Sequence, residues 1–565
     1  MREVCLLVVG LFVGDLLYFF RLGRRIEVWF TAVANRRTLA VVICAAASML
    51  PRLAAVEWLR PPEPIIPDEF SFVLGAQTFA LGRITNPVHP FWQHFESFHI
   101  NLVPSYQTMY PPAPSLFLTI GVVLANHPWW GVWLSCGLMC GAICWALQPL
   151  IRPKYALLAG MYCGLKYGMF TQYGDSYWGG SVSALGAAIT LGAYARLVRT
   201  NRPAYIAVLA VGVALLANSR PFEGFLFAVP VATALLVWIH RTRSYIRVLL
   251  PTAALVGIVA AATGYYNYRS TGSPTLMPYI ANYHQYHFVR PFIGTGMSEE
   301  PKYRHYQMAK LFETWEGRPG ELSRTREGIE FLTQNKYKFY YVEHFAPLMI
   351  LALTGLGYAL WSRRHNILTS TFLLVWLGLF AVVWWPLSSY PAPLLVSFLG
   401  LAFLGIRYLR ALRLRGHKPG YYWARGLVLV LLIASLMSYH ERFQLGKRLQ
   451  WSFPAPWNIE RQRIIHHLQN SGGNHLLIVK YSRGLHVPHQ EWVYNAPDID
   501  SQRVVFAQSL GSPADCRLMA YFSQRKIWYL YPDGAPWPQL VPVDASSVDC
   551  NEKQSPPLHL ALVRK

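Results

Sequence analysis

Long apolar segments follow one another from Val4 to Tyr439, each separated from the next by a polar stretch. The first of them runs from Val4 to Phe20. The others are Leu39–Val56, Trp129–Leu150, Tyr155–Phe170, Trp178–Ala195, Tyr205–Ala217, Phe222–Ile239, Val248–Tyr265, Ala346–Trp361, Ile367–Trp385, Pro391–Ile406 and Gly426–Tyr439. A helix that crosses a bilayer needs about 20 mostly apolar residues. The pattern therefore predicts an α-helical polytopic membrane protein with about 11–13 apolar helices.

Clusters of basic residues between these segments predict how the chain is oriented. They are Arg36/Arg37, Arg152/Lys154, Arg196/Arg199/Arg202, Arg241/Arg243/Arg247, Arg363/Arg364 and Arg407/Arg410/Arg413/Arg415/Lys418. Because Lys and Arg favour the cytoplasmic side, we expect the clusters inside and the long loops Glu57–Pro112 and Tyr266–Phe345 outside. The chain after Tyr439 is expected outside as well. Membrane topology thus explains the net charge of +23, and nucleic acid is not expected as a partner.

One short apolar run, Pro114–Ala125, does not fit a simple crossing. The chain must cross an odd number of times between the outer loop that holds Asp68 and the inner cluster at Arg152. We therefore expect a dipping or re-entrant helix here, which is tolerated where it lines a cavity. The long outer loops are rich in Tyr, His, Trp and Pro, which argues against disorder and predicts segments that cover a pocket.

The C-terminal region has the pattern of a small α/β domain. Its helix contains Ile464, Ile465 and Leu468 and ends at Gly472-Gly473, and its strands are predicted at Leu476–Val479, Val504–Phe506 and Lys526–Leu530. Strands that alternate with short helical patterns are typical of such domains. The predicted division is an anchor and basic linker over residues 1–37, a transmembrane domain over 38–440 and a soluble extracytoplasmic domain over 441–565.

Two features of the C-terminal domain bear on its chemistry. Cys516 and Cys550 are the two cysteines in a polar region, and they could form a disulfide if this domain is extracytoplasmic. Asp498-Ile499-Asp500 matches a short acidic motif of nucleotide-sugar enzymes. Because the topology places it outside, we interpret it as the turn before the second strand.

Pro67-Asp68-Glu69-Phe70 places two adjacent carboxylates in the first outer loop, just after an apolar segment. Ionisable groups at the mouth of a membrane segment are costly and often functional. Asp68 is interpreted as a catalytic base and Glu69 as its neighbour in the site. The alternative is that both residues cap a helix that starts near Phe70, since Asp is a preferred N-cap residue.

Pro67-Asp68-Glu69-Phe70, the Tyr110-Pro111-Pro112 motif that opens the next helix, and the layout of apolar spans before an outer domain resemble the GT-C superfamily. Within it the chain is most similar to protein O-mannosyltransferases and aminoarabinose transferases. The resemblance implies a sugar donor on a polyprenyl or dolichyl phosphate and an acidic base in the first outer loop, here Asp68. A carboxylate can take the acceptor proton during attack. A single displacement would invert the anomeric centre.

A lipid phosphate would be the leaving group, so cationic or hydrogen-bonding groups are expected around it. Arg220 is a rare Arg on the outer side, and Arg can bind phosphate through two N–H groups. Its alternative role is a structural pair with Glu223. Arg83, His94 and His99 are weaker candidates, and each could instead be a surface group at the membrane interface.

Three further residues are predicted to contact the substrate. Tyr110 belongs to the Tyr-Pro-Pro motif, and Tyr390 occupies the place where relatives show His-Tyr followed by Pro, although Ser389 replaces the His. Asp175 could be a polar contact to the sugar. Its alternative role is to cap a helix that starts at Trp178.

Metal dependence is left open by a departure from the family pattern. Relatives often carry a charged residue before the Pro-Pro pair, whereas this chain has Gln107-Thr108-Met109-Tyr110. Glu69, His94 and Glu96 could supply ligands to a divalent metal, but their spacing is not the i, i+4 of a helical metal pair. No cofactor is predicted with certainty.

These features predict a glycosyltransferase, hexosyl or pentosyl, in the bacterial inner (cytoplasmic) membrane, surrounded by membrane lipids. It would pass a sugar from a polyprenyl-phosphate donor to a lipid, glycan or protein acceptor at the outer face. The alternative is a transporter or flippase for a lipid-linked substrate, which would need ionisable residues near the middle of its spans. Lys166 is one such residue, although a Lys can also extend to the interface.

Overall fold

The structure is a computed structural model that describes residues 2–544 apart from 20–23, 363–364, 415–416, 452–455, 483, 485, 488 and 535–537. Helices dominate the described chain. The first eleven are α1 (Arg2–Phe19), α2 (Arg24–Asn35), α3 (Arg37–Ala54), α4 (Pro67–Ala80), α5 (Pro112–Ala125), α6 (Trp129–Leu147), α7 (Pro153–Lys166), α8 (Gly180–Thr200), α9 (Ala204–Ala217), α10 (Pro221–Thr242) and α11 (Leu250–Thr271). The ten that follow are α12 (Pro278–Tyr286), α13 (Tyr306–Phe312), α14 (Arg318–Leu322), α15 (Arg326–Tyr340), α16 (Met349–Trp361), α17 (Asn366–Ala381), α18 (Leu395–Ala411), α19 (Pro419–Trp451), α20 (Trp457–Asn470) and α21 (Ala514–Tyr521).

Within the described residues, seven helical segments are long and apolar enough to cross a membrane. They are Arg37–Ala54, Trp129–Leu147, Gly180–Thr200, Pro221–Thr242, Tyr245–Thr271, Ala392–Ala411 and Pro419–Arg448. An eighth would combine Arg326–Phe345 with Met349–Trp361 across a bend of 93°, and α5, α9 and α17 are shorter apolar helices. The protein is thus a multi-pass helical membrane protein, and this predicted fold class is confirmed. The predicted span Tyr155–Phe170 corresponds to the 14-residue helix α7.

The two ends of the helical bundle have different chemistry. At one end Glu27 accepts from Lys154 at 2.8 Å and pairs with Arg410 at 2.7 Å, which joins α2, α7 and α18. At the other end the two predicted outer loops meet, because Asn101 donates to the carbonyl of Pro278 at 3.0 Å. Two of the predicted inner clusters thus meet at Glu27, and the two predicted outer loops contact each other.

Helix α5 begins and ends near the outer loops. The N–H of Ala113, at its start, donates to the carbonyl of Asn218 at 2.9 Å. Soon after its end, the indole of Trp129 donates to the carbonyl of Gly174 at 3.0 Å. Fourteen helical residues span only about 21 Å, which is less than the hydrocarbon core. This geometry agrees with a helix that dips into the bundle without crossing it.

Within the described ranges, six strands form two sheets. The hairpin of β1 (Ile100–Asn101) and β2 (Gln107–Thr108) lies in the first outer loop. The C-terminal sheet has the order β4-β3-β5-β6, formed by β3 (His475–Val479), β4 (Val504–Gln508), β5 (Lys526–Tyr531) and β6 (Gln539–Val543). Strands β4, β3 and β5 are parallel, as in α/β domains, and β6 adds an antiparallel edge.

The three predicted strands and the helix before them are confirmed, whereas α21 and β6 were not predicted. The turn predicted at Asp498-Ile499-Asp500 is a 3₁₀ turn over Ile499–Ser501, two residues before β4. Cys516 is disulfide-bonded, and its predicted partner Cys550 lies outside the described residues. The boundary predicted at residue 440 falls within α19, which continues to Trp451.

One apolar cluster joins the C-terminal sheet to the first outer loop. Leu74 of α4 and Tyr106 of the hairpin loop are buried together with Leu476 and Val505 of the sheet. Phe70 at the start of α4 also stacks on Tyr494, with ring centroids 4.1 Å apart. The C-terminal domain thus packs directly on the segment that carries the two adjacent carboxylates.

Candidate active site

Helix α4 begins at Pro67, with Ile66 as its N-cap and Pro67 at the first helical position. Proline is favoured there because its missing N–H would have no helical partner. Glu69 is the third helical residue and its carboxylate turns back, accepting from the N–H groups of Ile65 at 2.7 Å and Ile66 at 3.4 Å. Its other oxygen accepts from the N–H of Tyr177 at 3.0 Å. The capping role is therefore correct for Glu69.

Asp68 has a different environment. The hydroxyl of Tyr110 donates to its Oδ1 at 2.5 Å, and the Nδ1 of His99 lies 3.4 Å from its Oδ2. The same nitrogen is 3.2 Å from the Tyr110 hydroxyl, so the three side chains form a closed cluster. The side chains of Asp68 and His99 are each 18% exposed, which leaves the carboxylate reachable from outside.

The β1–β2 hairpin holds this cluster together. His99 precedes β1 and Tyr110 follows β2, and the N–H of Met109 donates to the carbonyl of His99 at 3.2 Å. The hydroxyl of Ser71, in α4, donates to that same carbonyl at 2.6 Å. The Tyr110 ring stacks on Phe72 of α4, with centroids 4.4 Å apart. Antiparallel pairing thus brings together residues that are eleven positions apart in the chain.

The two carboxylates differ in charge state. Burial alone would disfavour ionisation of Asp68, but the charge and hydrogen bond of His99, the Tyr110 hydroxyl and the charge of Arg220 lower its pKa. Burial raises the pKa of Glu69 to about 7, against the three backbone N–H groups that favour its charged form. Asp68 is consequently the carboxylate that is ionised throughout the neutral range.

Arg220 lies at the N-terminus of α10, beside the loop before α18. Its guanidinium donates to the hydroxyl of Ser389 and lies over the ring of Tyr390, with Cζ 4.9 Å from the centroid. In the part of the chain that the structure describes, no ion pair within 4 Å involves Arg220. The direct ion pair with Glu223, its predicted alternative role, is therefore not formed.

Buried polar atoms without hydrogen-bond partners lie close to these residues in the chain or in space. Trp178 Nε1, Tyr340 Oη and Ser388 Oγ are enclosed and unpaired among the described residues. Ser388 directly precedes the Ser389 that binds Arg220, and the charge of Arg220 also acts on Tyr340. An unsatisfied buried polar group costs about 1–3 kcal/mol. These atoms are therefore available to a polar ligand.

Two predicted substrate contacts, Arg83 and His94, lie away from Asp68. Arg83 pairs with Asp498 of the C-terminal domain at 2.5 Å, at the surface. His94 is buried against that domain, with Nδ1 2.9 Å from the carbonyl of Gln508. The structure does not bring either residue to Asp68, because the packing of the C-terminal domain engages both.

Asp175 forms an ion pair that neither of its two predicted roles, a sugar contact or a helix cap, included. Its carboxylate pairs with the almost fully buried Arg52 at 2.9 Å. Helix α8 begins at Gly180 after Gly179, which has a φ of 69°, so Asp175 does not cap it. Oδ1 of Asp175 is thus held by Arg52.

The residues proposed for a metal are not brought together. Glu69 is held by backbone N–H groups, and His94 faces Gln508. Glu96 accepts from Tyr286 at 2.7 Å and from Arg304 at 3.1 Å. Among the described residues no group of three His, Cys, Asp or Glu side chains could hold a metal ion.

Several residues of the site were not predicted from the sequence. Ser389 was considered only as a substitute for His, yet its hydroxyl binds Arg220. Tyr340 and Ser388 were missed because neither belongs to a motif. For Tyr340, the one signal in the sequence was the high content of Tyr in the second outer loop.

No family model and no curated protein matches the chain. Solved structures do. The Archaeoglobus fulgidus oligosaccharyltransferase tethered with an acceptor peptide has a TM-score of 0.45 at 12% identity, covering 87% of this chain and 68% of that one. The same enzyme with an inhibitory peptide and a dolichol-phosphate gives 0.42 at 11%, covering 90% and 70%. ArnT from Cupriavidus metallidurans bound to undecaprenyl phosphate gives 0.49 at 12%, covering 87% and 92%.

Proposed function

We propose that this protein is a glycosyltransferase that passes a sugar from a polyprenyl-phosphate-linked donor to an acceptor hydroxyl at the outer face of the membrane. One observation carries the proposal. An ionised, partly accessible Asp68 is held by Tyr110 and His99, and the charge of Arg220 reaches it from a neighbouring helix. A base and a cation that face one site are what transfer from a phosphate leaving group requires.

In this mechanism Asp68 accepts the proton of the acceptor hydroxyl while the hydroxyl oxygen attacks the anomeric carbon. The bond between that carbon and the phosphate oxygen breaks, and its electron pair leaves with the lipid phosphate. Tyr110 and His99 hold the Asp68 carboxylate in one orientation, which lowers the entropic cost of reaching the transition state.

Arg220 would bind the phosphate. Its guanidinium is oriented by Ser389 and by the face of Tyr390, and no contacting carboxylate cancels its charge among the described residues. Arg binds phosphate through parallel N–H groups, and the negative charge on the leaving oxygen increases as the bond breaks. Tyr390 would thus support the donor site through Arg220.

The roles of the two carboxylates favour a single displacement. Glu69 is engaged by three backbone N–H groups, so it cannot serve as a second catalytic carboxylate without breaking the start of α4. With Asp68 as the one base, attack by the acceptor inverts the anomeric configuration. No step in this scheme uses a metal ion.

A transporter or flippase has less support. Lys166, the ionisable residue that favoured it, is the last residue of α7 and donates to the carbonyl of Ala346 at 2.8 Å. Ala346 directly follows the second outer loop. We further propose that the C-terminal domain is extracytoplasmic, from the positions of the Lys and Arg clusters along the sequence. The proposed location is the bacterial inner membrane.

The test is a transfer assay with purified full-length protein and a panel of radiolabelled undecaprenyl-phosphate sugars in membranes that supply the acceptor. Asp68→Asn should abolish transfer, while the variant still folds and binds undecaprenyl phosphate. Asp498→Asn is the matched control, because this surface carboxylate pairs with Arg83 and should leave transfer intact. Turnover by Asp68→Asn close to that of the wild type would contradict the proposal.

A further inference from the structure

A cavity of about 990 Å³ lies beside the candidate active site. Among the described residues, its walls come from six parts of the chain: the stretch 59–65 before α4, the stretch from Lys166 at the end of α7 to Asp175, Glu343 and His344 of the second outer loop, Ser388, the stretch 442–446 of α19, and α20 of the C-terminal domain with the residue before it. We call it the α7–α20 cavity. The mechanism described above does not use it.

The α7–α20 cavity carries positive charge. Lys166 and Arg442 both line it, and they are adjacent, since Arg442 donates to the carbonyl of Lys166 at 3.2 Å. Arg60 and Arg463 also line it, against three carboxyl groups, those of Glu63, Asp175 and Glu343. Two of these carboxyl groups are already engaged, since Asp175 pairs with Arg52, and Glu63, whose pKa is raised by burial, accepts from Gln462 at 2.8 Å. Cations therefore outnumber carboxyl groups among the described lining residues, which favours an anionic ligand.

Three lining residues also present buried polar atoms that lack partners. They are the Nε2 of His344, the Oγ of Ser388 and the Oδ1 of Asn458, on side chains no more than 5% exposed. Native proteins pair most of their buried polar atoms. Three unpaired atoms around one cavity indicate a polar ligand that forms hydrogen bonds with them.

Part of the wall is apolar. Leu59, Ile65, Phe170, Leu445 and Ile459 line the cavity together with the polar groups. A small hydrophilic anion would leave these side chains without a partner. A molecule with an anionic head and an apolar portion would match both parts of the wall.

The cavity and the Arg220 site share a wall. Ser388 lines the cavity, and the next residue, Ser389, binds Arg220 on the other side. Tyr173 also lines the cavity, and its hydroxyl donates to the carbonyl of Ser388 at 3.1 Å. A molecule in the cavity would thus lie next to the proposed donor phosphate without occupying its place.

We propose that the α7–α20 cavity binds the acceptor substrate, and that this acceptor is an anionic amphiphile whose charged group is held by Lys166 and Arg442. The inference rests on the proposed function. Asn458 and Ile459 make the C-terminal domain a direct part of this acceptor site.

The test measures binding by calorimetry, with full-length protein in a neutral detergent and three probes: dioctanoyl phosphatidic acid, dioctanoyl phosphatidylcholine and inorganic phosphate. We expect phosphatidic acid to bind at least about tenfold more tightly than either other probe. The double variant Lys166→Gln/Arg442→Gln should bind it at least about tenfold more weakly, as expected when hydrogen bonds to a charged group are lost. Its affinity for undecaprenyl phosphate should not change.

The control is Lys310→Gln/Arg326→Gln, which removes the same charges from exposed pairs in the second outer loop. Asn458→Asp provides a second variant if the first does not fold, since the added negative charge should weaken phosphatidic acid binding.

Equal affinity in the variants and wild type would overturn the proposal, and so would equal binding of phosphatidylcholine. Equal binding of inorganic phosphate would refute the amphiphile, and loss of undecaprenyl phosphate binding would place both cations in the donor site. Retained transfer by Asp68→Asn would instead refute the proposed function alone.

Discussion

Replacing Tyr110 by Phe should move the acid limb of the pH–rate profile of transfer to higher pH. The Tyr110 hydroxyl donates to Oδ1 of Asp68 at 2.5 Å, and this bond is one cause of the lowered pKa of the carboxyl group. The phenyl ring of the variant can keep the stacking contact with Phe72. The substitution therefore removes the hydroxyl contacts with Asp68 and His99 and keeps the packing of the ring.

The direction and size of this shift in pH follow from the protonation state in which Asp68 is active. Transfer needs the carboxylate, and the Tyr110 hydrogen bond stabilises the carboxylate, so its loss raises the pKa and activity declines at a higher pH on the acid side. A hydrogen bond to a charged group contributes about 1.5–3 kcal/mol, and about 1.4 kcal/mol corresponds to one pH unit. Because the charges of His99 and Arg220 remain, we expect the acid limb to move by about one pH unit, the low end of that range.

Initial rates of transfer at saturating donor, measured from acidic to neutral pH, test this prediction. Tyr106→Phe is the matched control, because the buried Tyr106 hydroxyl donates to the carbonyl of Asn495 at 2.7 Å and does not contact Asp68. Its pH profile should match that of the wild type. A folded Tyr110→Phe variant whose acid limb stays in place would show that Asp68 is not the titrating base.

Two other substitutions separate binding from folding. Arg220→Ala should weaken undecaprenyl phosphate binding in calorimetry by about 1.5–3 kcal/mol while the melting temperature changes little, since Arg220 has no contacting carboxylate among the described residues; unchanged affinity would make Arg220 structural. Arg52→Gln should lower the melting temperature markedly and leave donor affinity unchanged in the folded fraction, because loss of one partner of a buried pair costs about 3–5 kcal/mol. An unaltered melting temperature would show that the pair with Asp175 does not stabilise the fold.

Local patterns predicted those residues whose roles depend on nearby sequence. The strand at Leu476–Val479 comes from an apolar run and is found where expected. Asp68 and Tyr110 come from short motifs, and their side chains are in contact. The roles of Arg83 and His94 depend on partners more than 400 positions away in the C-terminal domain. Nothing in the neighbourhood of either residue encodes that packing, which is why both were predicted at the site and are engaged elsewhere.

The sequence allowed two interpretations of the adjacent carboxylates Asp68 and Glu69, as catalytic groups or as helix caps. In the fold the two side chains have different partners. At the third helical position a Glu side chain can reach back to the N–H groups before the helix, and Glu69 does so. Those N–H groups would otherwise compete for Asp68, the residue at the second position. Because Glu69 satisfies them, both oxygens of Asp68 are left to Tyr110, His99 and a ligand. The cap formed by Glu69 and the base proposed for Asp68 are thus compatible, since the cap leaves the neighbouring carboxylate free of those N–H groups.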